Sequence, residues 1–573
     1  MTNVVLAVSD LNVTGPKGPI VTGVSLDIRR GQTLAVVGES GSGKTLTGRA
    51  LLGLLPAGLS ASGILDLEGH RVDLDPTHPA WRTIRGRQIG LVPQDPFTSL
   101  SARHQCGIQI AMPLRGQSRS RRRELVAQAL DEVGLPQRVA RQYPFELSGG
   151  MRQRVALAAA LITDPAVLIA DEPTTALDVT TQAEVLDLIA GLQRDREMGL
   201  LLVTHDLAVA RARAEQIVVM YAGRIVERGS ATAVFHAPQH PYTLGLRECE
   251  PPLHTRLARM PVIEGSVPRL ADVGNACAFA DRCSLVVDAC TEAVPTLAET
   301  GLGHAAACIR PGLALPTPEV DPSRPDQPSP AGSATHADDT LLVTKGLTKS
   351  FGRHTALSGV DLELRRGECI GVVGESGSGK TTLSRILVGL ERADSGTLQF
   401  RGRPRTGRAG GIQIVFQDPS SALNPGLKIA TSLRDALRAG DAPTDTPQDL
   451  LTQVGLPAGY ARRRPRALSG GEQQRVAIAR ALAPKPEILI CDEPVSALDV
   501  SAQAQILNLL AELRGEFGLS MIFISHDLAV VRQVADRIYV MLDGRVVEQG
   551  STAEVLGQPQ DPYTQRLLKS VPV

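Results

Sequence analysis

The chain has 573 residues, 43% hydrophobic and 21% charged, which suits two to four globular domains with real cores. Its 60 basic and 60 acidic side chains balance, unlike the basic excess of a nucleic-acid binder, so no nucleic-acid partner is expected. No run of about 18 apolar residues occurs, and the N-terminus lacks the basic-then-apolar order of a signal peptide, so the chain is expected to stay in the cytosol.

The first short β-rich run covers residues 34–37 and leads into GESGSGKT at 38–45, followed by a helical stretch at 46–55. A glycine loop of this spacing between strand and helix is a phosphate cradle. Gly38, Gly41 and Gly43 permit backbone angles that aim N–H groups at one anion, with Ser40 and Ser42 beside them. Lys44 reaches the β- and γ-phosphates, and Thr45 is a candidate Mg²⁺ ligand. Further on come Gln94 in VPQDP and the sequence LSGG, where Ser148, Gly149 and Gly150 open a helical stretch at 151–163 and offer a second anion site. The apolar run 167–170 ends in Asp171, a second Mg²⁺ candidate, and Glu172, placed to polarise an attacking water. Another buried strand, 200–204, precedes His205.

HPYT at 240–243 and a Pro-rich stretch precede a cysteine cluster. Cys277, Cys283, Cys290 and Cys308 follow C-x5-C-x6-C-x17-C. Four Cys within about 32 residues of a cytosolic chain favour a metal site over disulfides. The spacing is neither the common zinc-ribbon pattern nor the bacterial ferredoxin run, so zinc, iron–sulfur and unligated thiols all stay open on residue chemistry. Cys369 and Cys491, inside apolar runs, read as small core residues. Residues 311–339 carry seven prolines in their first twenty positions and read as a linker, reaching roughly 90 Å if extended.

The motif series then repeats in the same order. A β-rich run at 370–373 precedes Gly374, Ser376, Gly377, Ser378, Gly379, Lys380 and Thr381, with a helical stretch at 382–390. Gln417, then Ser469, Gly470 and Gly471, then Asp492 and Glu493 at the end of the run 488–491, and His526 after the run 521–525, complete it. Between Lys44 and Ser148 lie 104 positions, against 89 between Lys380 and Ser469, so the first copy carries 15 more residues, most of them before Gln94. Strands alternating with helices imply an α/β fold with a largely parallel sheet in each copy.

LSGGMRQR and LSGGEQQR resemble the signature of ABC ATPases, and the resemblance covers roughly 1–235 and 340–573. It implies two tandem ABC-type P-loop domains, each with a helical subdomain. It makes Gln94 and Gln417 the Q-loop ligands of nucleotide and Mg²⁺, Asp178 and Asp499 the D-loop ends, and His205 and His526 the switch histidines. Glu172 and Glu493 become the catalytic carboxylates. It also implies two composite sites, one pairing Lys44, Asp171 and Glu172 with residues 469–471, the other pairing Lys380, Asp492 and Glu493 with 148–150. The family's adenine-stacking aromatic is matched by Phe351, but Gly15 aligns with it in the first copy, so weaker nucleotide binding is expected at the Lys44 site.

HPYT followed by the Cys pattern is similar to the C-terminal extension of ATPases from di- and oligopeptide importers, with nickel importers as near relatives. That resemblance implies a [4Fe–4S] cluster on Cys277, Cys283, Cys290 and Cys308, with zinc as the alternative; the second copy stops after DPYT with no Cys. It implies ATP-driven peptide uptake, two integral membrane permease subunits docking after the Q-loops at 95–101 and 418–425, and an extracytoplasmic binding protein. The chain is then peripheral on the cytoplasmic side of the membrane, with its two ATPase domains paired intramolecularly. The expected division is 1–235, 236–310 for the extension, 311–339 and 340–573. The competing reading is a soluble tandem ABC ATPase of ribosome recycling or DNA repair. The former class carries its clusters ahead of both domains, whereas here the Cys lie between them.

Overall fold

The computed structural model describes residues 3–95, 99–114, 116–174, 177–313, 340–405, 407, 410–440, 445–496 and 498–571. The expected linker falls largely outside them, as do residues 96–98 of the first docking stretch.

Each half is built on a sheet whose central strands are apolar on both faces, as a parallel sheet covered by helices requires. In the first half the order from one edge is Ala298–Gly301, His304–Ala306, Arg224–Ser230, Gln216–Tyr221, Thr33–Val37, Gly199–Val203, Val167–Asp171, Ile89–Val92. The last five are mutually parallel and the first three join antiparallel. The second half repeats this with Ile412–Val415, Ile488–Asp492, Ser520–Ser525, Cys369–Val373, Arg537–Leu542 and Arg545–Ser551. Cys369 and Cys491 are buried within these strands, as expected. The two glycine loops, the pairs Asp171–Glu172 and Asp492–Glu493, and His205 and His526 therefore sit at the carboxyl ends of parallel strands, where such sheets bind ligands.

Two features were not anticipated. Each half also carries a four-stranded antiparallel sheet, opened by the hairpin Val4–Gly15 with Gly18–Arg29 and by Thr340–Phe351 with His354–Arg365. The cysteine extension, moreover, adds its two strands to the edge of the first parallel sheet, where Glu227 pairs with Ala306. The additional residues of the first copy include the short helix Trp81–Ile84, whose Trp81 is buried and whose Arg85 donates to the Leu52 and Gly53 carbonyls behind the first phosphate-loop helix.

The helical subdomains contain Cys106–Ile110, Arg119–Glu132 and Gly149–Leu161 in the first half, and Ile429–Arg438, Pro447–Gln453 and Gly470–Leu482 in the second. Residues 252–263 run from the first half across the second. Gln533 donates to the Pro252 and Thr255 carbonyls, Asn508 pairs with the Met260 backbone in both directions, and Ser501 and Gln505 donate to the Ile263 carbonyl.

Candidate functional site

Glycine is required in both phosphate loops for two reasons. Gly43 and Gly379 hold φ near 100°, and a Cβ at Gly38 or Gly374 would stand 2.3 or 2.2 Å from the carbonyl oxygens of Met220 and Met541. The Lys44 ammonium donates to the Gly38 and Glu39 carbonyls at 2.7 and 3.0 Å, and Lys380 does the same to Gly374 and Glu375 at 2.6 and 2.7 Å. Burial pulls both lysine pKa values down against the opposing pull of Glu172 and Glu493. The Ser42 hydroxyl is buried and has no hydrogen-bond partner among the described residues, an orphan that a phosphate oxygen would satisfy.

At the neighbouring strand ends, the Thr45 hydroxyl donates to Asp171 at 3.0 Å. In the second half the donor to Asp492 is Ser384, also at 3.0 Å, a residue outside the motifs whose position in the first copy is taken by Gly48. Burial raises both aspartate pKa values. The Gln94 amide donates to Glu172 and that of Gln417 to Glu493, each at 2.8 Å. His205 Nδ1 and His526 Nδ1 lie 3.4 Å from the same carboxylates. Burial lowers the histidine pKa values, but the hydrogen bond and charge of the glutamate outweigh it and the net shift is upward. Glu172 and Glu493 both adopt left-handed backbone, φ 45° and 48°. Such strain in a non-glycine residue, about 1–3 kcal/mol, concentrates at functional sites. No sequence pattern signalled it.

Ser148 and Ser469 cap the helices Gly149–Leu161 and Gly470–Leu482, accepting from Met151 N and Glu472 N. A Cβ at Gly150 would meet Thr181 Cγ2 at 2.6 Å, so the signature helix and the helix Val179–Asp195 approach too closely for a side chain there. The two halves face each other at these elements. The Ser40 N–H donates to Asp499 at 3.0 Å, and reciprocally the Ser376 N–H donates to Asp178 at 3.3 Å. A cleft of about 670 Å³ is lined on one side by Glu39 and Ser40 and on the other by Ser469, Gly470 and Gly471.

Gly15 and Phe351 each end the first strand of their antiparallel sheet. The Phe351 ring is half exposed, with the Lys349 ammonium 5.2 Å from its centre. A Cβ at Gly15 would lie 2.9 Å from Leu59 Cδ2 and 3.1 Å from Ile20 Cδ1, side-chain ends that would have to shift to admit one. Stacking of a base on an aromatic ring contributes about 1–3 kcal/mol. Phe351→Ala is therefore expected to weaken ATP binding about 5- to 150-fold at the Lys380 site and to leave the Lys44 site unchanged. Titration of a fluorescent ATP analogue, with Lys44 or Lys380 replaced by Ala in turn, measures each site.

In the extension, no group of three or more His, Cys, Asp or Glu side chains among the described residues is gathered to hold a metal ion. Neither the iron–sulfur nor the zinc expectation is thus met by an assembled ligand shell. Cys277, Cys283, Cys290 and Cys308 nonetheless line one small cavity, and all are free thiols. Backbone N–H groups two residues on, at Phe279, Leu285 and Arg310, donate to the sulfurs of Cys277, Cys283 and Cys308. Such bonds favour thiolates, but burial outweighs them and the net pKa shift of all three is upward; the four thiols suit a thiolate-bound cluster in donor chemistry, though not as an assembled shell. HPYT sits directly beneath, with Phe279 packed on Tyr221, His240 and Tyr242. Burial drops the pKa of His240 to about 4, so its ring is neutral and its Nδ1 accepts from the Tyr242 N–H.

A model of the ABC transporter family matches residues 21–175 and again 357–496. This makes each half an ABC-type ATPase domain of an enzyme that couples ATP hydrolysis to transport. The model of the oligopeptide/dipeptide transporter C-terminal region also matches twice, at 226–290 and 547–573. Over 606 aligned residues the chain is 42% identical to the oligopeptide transport ATP-binding protein OppD of Mycobacterium tuberculosis, covering 99% of this chain and 98% of that one. It is 38% identical to the glutathione import ATP-binding proteins GsiA of Salmonella typhimurium and Escherichia coli, covering 99% of this chain and 90% of each of those. The chain belongs to the family of ABC transporter ATP-binding proteins that carry this oligopeptide/dipeptide C-terminal region.

Proposed function

We propose that the chain powers uptake of short peptides by an ABC importer, hydrolysing ATP on the cytoplasmic face of a membrane. The observation that carries this reading is the full-length similarity to OppD, coupled with an oligopeptide/dipeptide C-terminal region after each of two nucleotide sites. Glutathione, named for the GsiA relatives, is itself a tripeptide, so the similarities converge on one chemical class. No helix among the described residues is long and apolar enough to cross a membrane. Two permease subunits form the path, an extracytoplasmic protein delivers the peptide, and the stretches at 95–101 and 418–425 receive the permeases' cytoplasmic helices.

The domain division is 1–235, 236–310, 311–339 and 340–573. The two ATPase domains pair within one chain, and each site is composite. Gly38, Ser40, Gly41, Ser42, Gly43 and Lys44 hold the phosphates of one ATP, closed by Ser469, Gly470 and Gly471. Gly374, Ser376, Gly377, Ser378, Gly379 and Lys380 hold the other, closed by Ser148, Gly149 and Gly150. Thr45 with Asp171, and Thr381 with Asp492, bind Mg²⁺, assisted by Gln94 and Gln417. Glu172 and Glu493 orient and polarise the attacking water, and His205 and His526 hold the γ-phosphate side. Positioning and charge stabilisation account for most of phosphoryl-transfer catalysis, and every group here serves one or the other.

The test is reconstitution with the two permeases and the binding protein in proteoliposomes. Uptake of a labelled tripeptide should require ATP and vanish in the Lys44→Ala, Lys380→Ala double variant; ATP hydrolysis that peptide and binding protein never stimulate would refute the reading.

Cys277, Cys283, Cys290 and Cys308 hold a [4Fe–4S] cluster in this reading. When bound, the cluster supplies a rigid cross-link among four thiolates and a one-electron redox centre. Protein purified without oxygen should contain iron and acid-labile sulfide, and Cys283→Ser should lose most of both. Stoichiometric zinc without iron would assign the site to zinc instead.

A further inference from the structure

Among the buried charged groups that ATP chemistry does not use, one pair joins the cysteine extension to the first phosphate loop. Arg282 lies in the cysteine extension, between Cys277 and Cys283. Its guanidinium forms a two-pronged ion pair with Glu39, the second residue of the first phosphate loop, at 2.8 and 2.9 Å. Both side chains are almost fully buried, 5% and 6% exposed. The remaining donors go to the carbonyls of Glu264 at 2.7 Å and Ile263 at 3.3 Å and to the Tyr221 hydroxyl at 3.2 Å. All five guanidinium N–H groups are thereby used, a degree of satisfaction that fixes the side chain in one pose.

Glu39 is held at its backbone as well. Its N–H donates to the Tyr242 hydroxyl at 2.7 Å, and its carbonyl accepts from Lys44. The next residue, Ser40, is the one that reaches Asp499 of the opposite half. The Ile263 carbonyl that Arg282 touches also receives Ser501 and Gln505, from the helix that follows Asp499. The extension thus grips the phosphate loop and the opposing half at one point.

The second copy keeps only part of this. Tyr563 accepts from the Glu375 N–H at 2.8 Å, as Tyr242 does for Glu39. No ion pair to the partly exposed Glu375 is formed among the described residues. A carboxylate one residue from the loop's phosphate-binding N–H groups opposes a polyanionic ligand unless it is neutralised. Arg282 neutralises Glu39 and holds its carboxylate in a two-pronged ion pair.

We propose that Arg282 is a positioning residue through which the cysteine extension sets the Lys44 phosphate loop, so that nucleotide affinity at this site, and not at the Lys380 site, depends on the extension. The proposal rests on the assignment of Lys44 as a phosphate ligand.

The test uses the full chain in two backgrounds, Lys380→Ala to leave the Lys44 site and Lys44→Ala to leave the Lys380 site, titrated with a fluorescent ATP analogue. Arg282→Met should weaken binding tenfold or more in the first background and less than twofold in the second. In steady-state hydrolysis the change should fall on KM rather than kcat. Arg282→Lys, which keeps the charge but not the fork, should show a smaller shift at the same site and serves where the Met variant does not fold. Removing both charges, in Glu39→Gln with Arg282→Met, should restore affinity to within a few-fold, because the cost lies in the carboxylate left alone. Equal weakening at both sites, or unchanged binding at the Lys44 site in folded protein, overturns the proposal. Failure of the analogue to bind the Lys380→Ala parent at all overturns the Lys44 assignment together with it.

Discussion

Glu493→Gln is expected to slow hydrolysis at the Lys380 site by about 10²- to 10⁴-fold, and Glu172→Gln to do the same at the Lys44 site, while ATP stays bound at both. The substitution keeps the size of the side chain and leaves the left-handed backbone at φ 48° or 45° as it is. What it removes is a carboxylate able to take up the proton of the attacking water. The surroundings hold Glu493 in its charged form. The pKa of Glu493 is held below the usual carboxylate range: burial raises it, but the bond and charge of His526 and the charge of Lys380 lower it more. An amide there has no charge for His526 to meet. Single-turnover phosphate release, with retained ATP quantified in the same sample, measures both halves of the prediction. The double variant should trap ATP in both sites; hydrolysis within threefold of the parent would remove both glutamates from the catalytic role.

The second large effect concerns which residues share a site. If Lys44 works with Ser469 and Lys380 with Ser148, combined substitutions should not add as their positions along the chain suggest. Lys44→Ala with Ser469→Arg disables one site twice and should retain the hydrolysis of Lys44→Ala alone. Lys44→Ala with Ser148→Arg disables both and should lower hydrolysis to background. The contacts of Ser40 with Asp499 and of Ser376 with Asp178 orient the halves in this crossed sense, as does the cleft between Ser40 and Ser469. Steady-state ATPase rates of the two doubles decide it; the reverse order of activities would pair each lysine with the signature of its own half.

What could be read in advance follows a physical divide. A glycine loop between strand and helix has fixed short spacing, so the placement of Lys44, Thr45, Lys380 and Thr381 at helix starts was legible, as was that of Asp171 and Asp492 at the ends of apolar strands. The six strands anticipated from apolar runs lie within about a residue of their observed bounds, because strands buried on both faces leave an unbroken hydrophobic signature. The opening hairpins were missed. Gly18–Arg29 alternates buried and exposed positions, a weaker signal that competes with turns and polar interruptions. Ser384 was hidden because its partner Asp492 is 108 positions away, and Arg282 because Glu39 is 243 away. The seating of residues 252–263 on the second half has the same cause. Contacts set by tertiary packing leave no local pattern.

Trp81 is the chain's single tryptophan, and it stands in the first half alone. Its indole N–H donates to the Asp75 carbonyl, and its ring crowds Gly53, where a Cβ would lie 2.8 Å away, just beyond the helix Lys44–Ala50. Intrinsic indole emission therefore arises from the Lys44 half alone. A label-free nucleotide titration of the unmodified chain can follow the Lys44 half by this emission and total binding by calorimetry, and the difference between the two curves isolates the Lys380 half.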